Sequence, residues 1–367
     1  MNTTLPIRTR LGPSGDAEAS TTDGMIALNN LEAQIEGQES QATLDHSIVE
    51  RQTTLIELIA LRGLILGHVA DYERAGEIAE QLARDASAGR AAFLARARMR
   101  ATFHRFTDAL DDLEAAERLS VDGEIVNAER AAIFQALGRY DEALAIREEA
   151  ADRRASFETL GALAGLWAER GDTETAERLY YECRSRYRGV SPFPLALLDF
   201  QVGLMWMERS QFDEARMWFD AARRRVPAYA AAQGHLAEVE AELGEIEIAL
   251  ARLYPLAASS DDPDYAAQLA RILADAGHMD ESRGWRQLAV ARYDELMARH
   301  PEAFADHAAE FWLAAGDDPD KALRLAGMNV EVRKTPRAYD LLSRAVSAKE
   351  AASRKAVVPA CGAHLGV

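Results

Sequence analysis

Residues 300–312, with the sequence HPEAFADHAAEFW, contain the densest group of side chains that could bind a metal ion. Two histidines and three acids occur there: His300, Glu302, Asp306, His307 and Glu310. An acid three residues after a histidine lies on the same helix face, so that both can share one metal. Pro301 separates the two histidines, however, and the sequence offers no second cluster of ligands. We therefore predict no bound metal and no cofactor, and keep metal or small-ligand handling by residues 300–310 as the alternative function.

The chain lacks the short motifs that carry common catalytic chemistry. The phosphate-binding G-x-x-x-x-G-K-[ST], the zinc-protease H-E-x-x-H and the hydrolase G-x-S-x-G are all missing from the sequence. Cys183 falls at an interior helix position in the repeat described below, which favours packing over a nucleophilic role. Acid pairs on an acidic surface are not evidence of catalysis. The sequence therefore predicts no catalytic residues and a protein that is not an enzyme.

The composition indicates an acidic protein with ample material for a helical core. The 367 residues are 48% hydrophobic but only 7% aromatic, and the formal net charge is −18. This charge disfavours nucleic acid as a partner, because counterion release from phosphates needs a basic surface. It suits a basic or apolar partner, although an acidic surface that only keeps the protein soluble explains it equally well.

The sequence also bears on the compartment. The N-terminus has no apolar h-region of a secretory signal, and no run of residues approaches membrane-spanning length. Cys183 and Cys361 are the only cysteines, which fits a reducing compartment. We therefore expect a cytoplasmic protein without a membrane partner.

A repeat of about 34 residues organises the chain from residue 56 to residue 330. The units start near residues 56, 90, 124, 157, 196, 230, 263 and 302. Their eighth position is always glycine or alanine: Gly63, Ala97, Ala131, Ala164, Gly203, Ala237, Ala270 and Ala309. Their twentieth position is small as well: Ala75, Ala109, Ala143, Ala176, Ala215, Ala249 and Ser282. Small side chains at two fixed positions let two helices of a unit cross closely.

Two segments make this pattern specific. ALGRYDEALAIREEA (residues 136–150) and QFDEARMWFDAA (residues 211–222) resemble tetratricopeptide (TPR) repeats, and the resemblance covers roughly residues 56–325. The pattern is degenerate, since His104 and Ser210 replace the usual loop glycine. The resemblance implies an all-α, right-handed superhelical solenoid of about eight TPR-like helix–turn–helix repeats with helical caps.

The flanking segments differ from the repeats. We expect four of them: a disordered N-terminal segment at 1–22, an N-terminal helical cap at 23–55, a C-terminal capping helix at 331–347 and a flexible tail at 348–367. Pro336 fits the first turn of the closing helix.

The resemblance places positions 2, 5, 9, 12 and 13 of each first helix on the concave side of the superhelix. In the unit from residue 196, four of these positions are apolar: Leu197, Phe200, Leu204 and Met207. The neighbouring units place small residues there: Gly161, Gly165, Gly234 and Ala241. Large apolar groups beside missing side chains predict a pocket for an anchor residue of a bound helix or peptide. Burial of this patch under the proline-rich segment 186–194 is an equally good explanation.

A second candidate site is acidic. Position 13 holds an acid in four successive units, and we call these residues the acidic ladder: Glu169, Glu208, Glu242 and Asp275. An acid in the last turn of a helix opposes the helix dipole at a cost of roughly a few tenths of a kcal/mol, so its recurrence is informative. A basic or amphipathic segment could lie along the ladder. The alternative is a set of solvated helix ends, compensated by the neighbouring Arg170 and Arg209.

A third series is basic. Arg62, Arg96 and Arg130 are spaced by 34 residues at position 7, which is normally apolar. Buried guanidinium groups need carboxylate partners, and Asp112 and Glu77 are suitably placed. We interpret the series as structural ion pairs between helices.

These patterns together predict a non-catalytic protein–protein interaction scaffold or adaptor. It would bind a basic or amphipathic peptide, or a partner helix, in the concave groove. Self-association through the C-terminal cap stays open, as does occupation of the groove by the chain's own tail after Lys355.

Overall fold

The computed structural model describes residues 20–40, 48–84 and 89–357, with the side chains described as far as residue 354. These parts of the chain form eighteen α-helices and no strand. The predicted all-α, TPR-like solenoid is confirmed. None of the described helices is both long and apolar enough to cross a membrane.

Sixteen of the helices form eight consecutive pairs, whose members we call helix A and helix B. The A helices are α2 (Ile48–Leu66), α4 (Gly89–Thr102), α6 (Gly123–Ala136), α8 (Phe157–Glu169), α10 (Phe193–Met207), α12 (Ala230–Glu242), α14 (Pro263–Asp275) and α16 (Pro301–Leu313). The B helices are α3 (Val69–Arg84), α5 (Phe106–Arg118), α7 (Tyr140–Arg153), α9 (Thr173–Arg186), α11 (Phe212–Arg225), α13 (Ile246–Ser259), α15 (Met279–Arg299) and α17 (Pro319–Val332). Each A helix packs on its own B helix, and each B helix packs on the next A helix.

The small residues of the repeat lie where paired helices touch. Ala164, Ala237 and Ala309 at the eighth position are fully buried. At Gly203 an added Cβ atom would lie 2.6 Å from two ring carbons of Phe219. Real Cβ atoms do not come so close, so only glycine lets α10 and α11 approach to this distance.

The loops between helices A and B turn through a left-handed residue. Gly138 has φ of 81° at this position. His104 and Ser210, which replace the glycine in two units, also have positive φ, at 57° and 54°. The loop geometry is therefore kept where the glycine is missing, at the cost of backbone strain in a side-chain-bearing residue.

The caps differ from their predicted bounds. The N-terminal cap is α1 (Gly24–Ser40), and helix α2 begins at Ile48, so residues 48–55 extend the first repeat helix instead of belonging to the cap. The closing helix is α18 (Pro336–Val357), which runs ten residues beyond the predicted end at 347.

The helix continues because residues 348–357 contain good helix formers and neither glycine nor proline. Lys349 also ties α18 to Asp320 of α17, with 2.8 Å between Nζ and Oδ1. The other predicted flank positions, 1–19 and 358–367, lie outside the described residues.

The superhelix closes on itself, because three A–B loops near the N-terminus touch loops near the C-terminus. We call these the closing contacts. In the first, Asp261 accepts hydrogen bonds from Val69 N at 2.6 Å and Ala70 N at 2.9 Å, and so caps α3 from 192 residues away. Ser260 Oγ donates to the Gly67 carbonyl in the same contact.

In the second and third closing contacts, the bonded residues are separated by a similar number of positions along the chain. His104 Nδ1 lies 3.0 Å from the Glu302 carbonyl, 198 residues away. In the third contact Arg333 Nε donates to the Ala136 carbonyl at 3.3 Å, 197 residues away, and Lys334 N donates to the Leu137 carbonyl. One superhelical turn therefore takes between five and six repeats.

The predicted arginine series forms ion pairs between helices. Arg96 donates to both carboxylate oxygens of Asp112, at 3.0 and 2.6 Å, which confirms that pairing. Arg62 pairs with Asp71 instead of the predicted Glu77. Asp71 and Asp112 are both buried, so these pairs satisfy charges that the core could not otherwise hold.

Candidate partner-binding site

The acidic ladder lies at the C-terminal ends of four successive A helices. Its members are exposed in the structure: Glu169, Glu208, Glu242 and Asp275. Because each repeat stacks on the one before it, the ends of the A helices follow one another, and the four carboxylates recur along one edge of the array.

The first two members of the ladder influence each other. Gln135 Nε2 donates to Glu169 Oε1, and Tyr140 also hydrogen-bonds to this carboxylate. The pKa of Glu169 is raised, mainly because neighbouring protein displaces water from the carboxyl group and partly because the charge of Glu208 opposes its ionisation. Arg147 acts in the opposite direction, but the net effect is that Glu169 ionises less readily than a free glutamate.

The arginines expected to compensate these two acids point elsewhere. Arg170 pairs with Asp141 of helix α7, with 2.7 Å between Nη1 and Oδ1. Arg209 donates to the carbonyls of Met205 and Gly171, at 3.2 and 3.0 Å. Among the described residues, no cationic group lies within 4.0 Å of Glu169 or Glu208.

The other two members of the ladder share one arginine. Arg271 Nη1 lies 3.9 Å from Glu242 Oε1 and 3.9 Å from Asp275 Oδ2. Such long, solvent-exposed pairs contribute little to stability. The ladder is therefore partly neutralised at this end and uncompensated at the other.

Phe200 is not available as a partner contact, which corrects one of the predicted site residues. Its side chain is only 8% exposed. Its ring centroid lies 5.2 Å from that of Tyr229, 5.5 Å from that of His235 and 5.6 Å from that of Phe219. These rings, not the proline-rich segment alone, make Phe200 a core residue.

The rest of the apolar patch is half-buried against the same core. Leu197, Leu204 and Met207 all pack on it. The space expected at Gly234 is filled, since a Cβ atom there would lie 2.7 Å from the Tyr265 ring. The patch therefore offers the edges of three half-buried side chains, and its role as an anchor stays a proposal.

The structure instead contains a cavity that the sequence did not suggest. It lies between α6, α7 and α8 and has a volume of about 380 Å³. Arg147 of α7 lines it, at the 24th position of its unit. Leu113, Tyr180 and Phe219 are buried at the equivalent position of three other units, but Arg286 occupies it in the unit from residue 263, so the charge alone does not identify the cavity.

The residues of the metal-handling alternative are engaged in separate pairs. His300 Nε2 lies 2.9 Å from Glu73 Oε1, and its ring stacks on Phe103 with 4.2 Å between centroids. His307 Nδ1 lies 2.7 Å from Asp264 Oδ2.

Two of the three acids in this segment are engaged as well. Asp306 and Glu310 pair with Arg333 and Arg344. No group of three or more His, Cys, Asp or Glu side chains among the described residues could hold a metal ion. The geometry therefore gives this alternative no support.

Comparison with known proteins gives the fold. No family model matches the chain, and no curated protein matches it. Among solved structures, the Rap protein complexed with Competence and Sporulation Factor has a TM-score of 0.55 at 13% identity, covering 90% of this chain and 98% of that one. A human IFIT1 dimer with PPP-AAAA has a TM-score of 0.51 at 16% identity, covering 90% and 78%.

A third similar structure is longer than this protein. The chain spans 62% of the length of its match in the APC/C hetero-tetramer Cut9-Hcn1, with 87% of this chain covered, a TM-score of 0.49 and 13% identity. At such low identities a likeness shows the fold alone. The neighbours are TPR repeat proteins, so this chain is a TPR-like solenoid, as the repeat pattern predicted.

Proposed function

We propose that this protein is a non-catalytic cytoplasmic scaffold that binds a basic or amphipathic peptide, or a partner helix, along the acidic ladder. The observation that carries the proposal is the pair Glu169 and Glu208, which has no cation within 4.0 Å among the described residues. Adjacent carboxylates that repel each other gain most from a cationic partner, because its charge relieves the repulsion.

The half-buried edges of Leu197, Leu204 and Met207 lie on the helix that ends at Glu208. An amphipathic helix could place its apolar side chains on these edges and its basic side chains on the ladder. The net charge of −18 supports a peptide over nucleic acid in this proposal, because phosphates would be repelled.

The test is a binding titration with a lysine-rich amphipathic peptide, followed by fluorescence anisotropy. Replacing both Glu169 and Glu208 by Gln should weaken binding by roughly two- to fivefold per charge. Added salt should weaken binding to the wild-type protein and affect the variant less.

The matched control is the double variant Asp280→Asn and Glu114→Gln, which removes two exposed acids that lie on B helices. These side chains are 94% and 65% exposed, so the same change in net charge is made away from the ladder. Equal loss of affinity in control and ladder variants would mean that only net charge matters and would refute the site. Tighter binding of an RNA oligonucleotide than of the peptide would refute the partner class.

A further inference from the structure

The cavity between α6, α7 and α8 has largely apolar walls. Its volume of about 380 Å³ lies in the range of small-molecule sites. Alanine and isoleucine side chains provide the walls: Ile125, Ala128, Ala131, Ile146, Ala150 and Ala162. Ile125 is 42% exposed, so its side chain presents apolar surface at the cavity.

The cavity exists because α7 fails to fill the space between α6 and α8. Ala143 is the only buried residue of α7. At the 24th position, Leu113, Tyr180, Phe219 and Leu253 fill the core of four other units, whereas this unit has Arg147 and the unit from residue 263 has Arg286. A long, charged side chain thus replaces a bulky apolar one, and space is left beside it.

Arg147 also lacks a counterion. Its Nη1 donates to the Ala162 carbonyl, while Nε is buried without a hydrogen-bond partner. No carboxylate lies within 4.0 Å of it among the described residues, and burial lowers its pKa despite the more distant charge of Glu169.

Other half-buried arginines in the described structure have acceptors for their guanidinium groups, although Arg209, Arg286 and Arg292 donate only to carbonyls. Arg147 differs from them because its Nε is buried without any partner. Arg252 donates to both oxygens of Glu240, at 2.9 and 2.6 Å, and Arg184 pairs with Asp199. An uncompensated buried charge is costly, so its retention beside an apolar cavity indicates that an anion comes from outside the chain.

We propose that this cavity binds a small amphipathic monocarboxylate, whose anion pairs with Arg147 and whose aliphatic or aromatic body lies against the alanine and isoleucine walls. One unpaired guanidinium calls for one carboxylate, which it can hold through two parallel hydrogen bonds. Arg153 closes part of the rim by pairing with Glu124 at 2.7 Å and Glu149 at 2.6 Å. The rim therefore contributes no further net positive charge, and a free acid of limited size fits better than a polyanion.

The test is calorimetric titration of the full chain with octanoate and with octanamide, which has the same apolar body and no charge. Octanoate should bind the wild-type protein roughly tenfold or more tightly than octanamide. Arg147→Gln should remove this difference, and Ala128→Leu, which fills the cavity, should weaken both ligands.

Arg186→Gln is the matched control, because it removes one arginine charge from the next helix B, where Arg186 pairs with Glu182 at 2.9 Å. It should leave octanoate affinity unchanged. Melting temperatures of the free variants show whether each is folded, and no loss is expected for Arg147→Gln because its charge is uncompensated.

Three outcomes would overturn the proposal: equal affinity for octanoate and octanamide, no binding of either at millimolar concentration, or unchanged octanoate affinity in Arg147→Gln. Binding of a short peptide that ends in leucine, without binding of octanoate, would overturn it in favour of a peptide C-terminus. Octanoate binding and peptide binding are separate measurements, so failure of this proposal leaves the acidic ladder untouched, although Arg147→Gln also removes a charge that lowers the pKa of Glu169.

Discussion

The first closing contact can be weakened by one substitution, Asp261→Ala, which leaves only the hydrogen bond from Ser260 to the Gly67 carbonyl. This change removes two hydrogen bonds from a carboxylate to the backbone at the start of α3, at 2.6 Å from Val69 N and 2.9 Å from Ala70 N. Loss of a helix N-cap costs about 0.5–2 kcal/mol. We expect the free energy of unfolding to fall by about 1–2 kcal/mol, since the bonds are charge-assisted and partly shielded from water.

The matched control is Asp172→Ala. Asp172 caps α9 by accepting a hydrogen bond from Thr175 N at 3.0 Å, so the same chemical change is made within a single repeat. Both variants should unfold at lower denaturant concentration. They should differ in amide hydrogen exchange, which reports local opening.

In Asp261→Ala, exchange should accelerate at residues 67–72 and at residues 260–265 together, because the two segments hold each other. In Asp172→Ala, faster exchange should stay within residues 172–176. The reasoning fails if Asp261→Ala alters only one of its two segments, or if its denaturation midpoint equals that of the wild-type protein.

Three further predictions concern packing and ionisation. Gly203→Ala should lower the free energy of unfolding by about 1–3 kcal/mol in a denaturant titration, because the new methyl group overlaps the Phe219 ring, and an unchanged midpoint would contradict the packing. The pKa of His307 is raised to about 10, chiefly by Asp264, so its contribution to stability is complete below the unfolded pKa of about 6.5 and is lost as pH rises towards 10. The free energy of unfolding should fall across this window in the wild-type protein, and His307→Gln should remove that part of the slope. Burial raises the pKa of Cys183 to about 12, so the native protein should not react at this thiol with a disulfide reagent at pH 8, whereas the unfolded protein should.

The repeating part of the fold could be predicted because it depends on local spacing. Small residues at positions 8 and 20 determine where paired helices cross, and loop residues determine where they turn. Even His104 and Ser210, which break the consensus, adopt the left-handed conformation that the loop requires. A sequence pattern reports such contacts directly, because both partners lie within one unit.

The closing contacts could not be predicted in this way. They join residues more than 190 positions apart and depend on the small rotation that each repeat adds to the next. Two units are longer than the others, one containing residues 186–194 and one containing the 21-residue helix α15, and a unit of different length can change that rotation. Their effect accumulates over the array and is invisible in any single unit.

Only some properties of the candidate site could be predicted from the sequence, namely those that depend on local position in a repeat. Exposure of the acidic ladder follows from its position at helix ends, which is local. Burial of Phe200 depends on Tyr229 and His235. Tyr229 immediately precedes α12, the first helix of the next unit, and His235 lies within that helix. Arg147 does not stand out in the repeat pattern, because the small and aromatic positions that define the pattern do not include the 24th.

The closing contacts also change how the protein should fold. An open repeat array can begin to fold anywhere, and its end repeats fray independently. Here α3 receives its cap from residue 261, so the first repeat is complete only after the sixth has formed. Closing so long a loop costs conformational entropy once, when the first closing contact forms. The other closing contacts then form without that cost, so the end repeats fold cooperatively with the middle ones. A chain shortened to its first five repeats should therefore lose more stability than the three missing units themselves contribute.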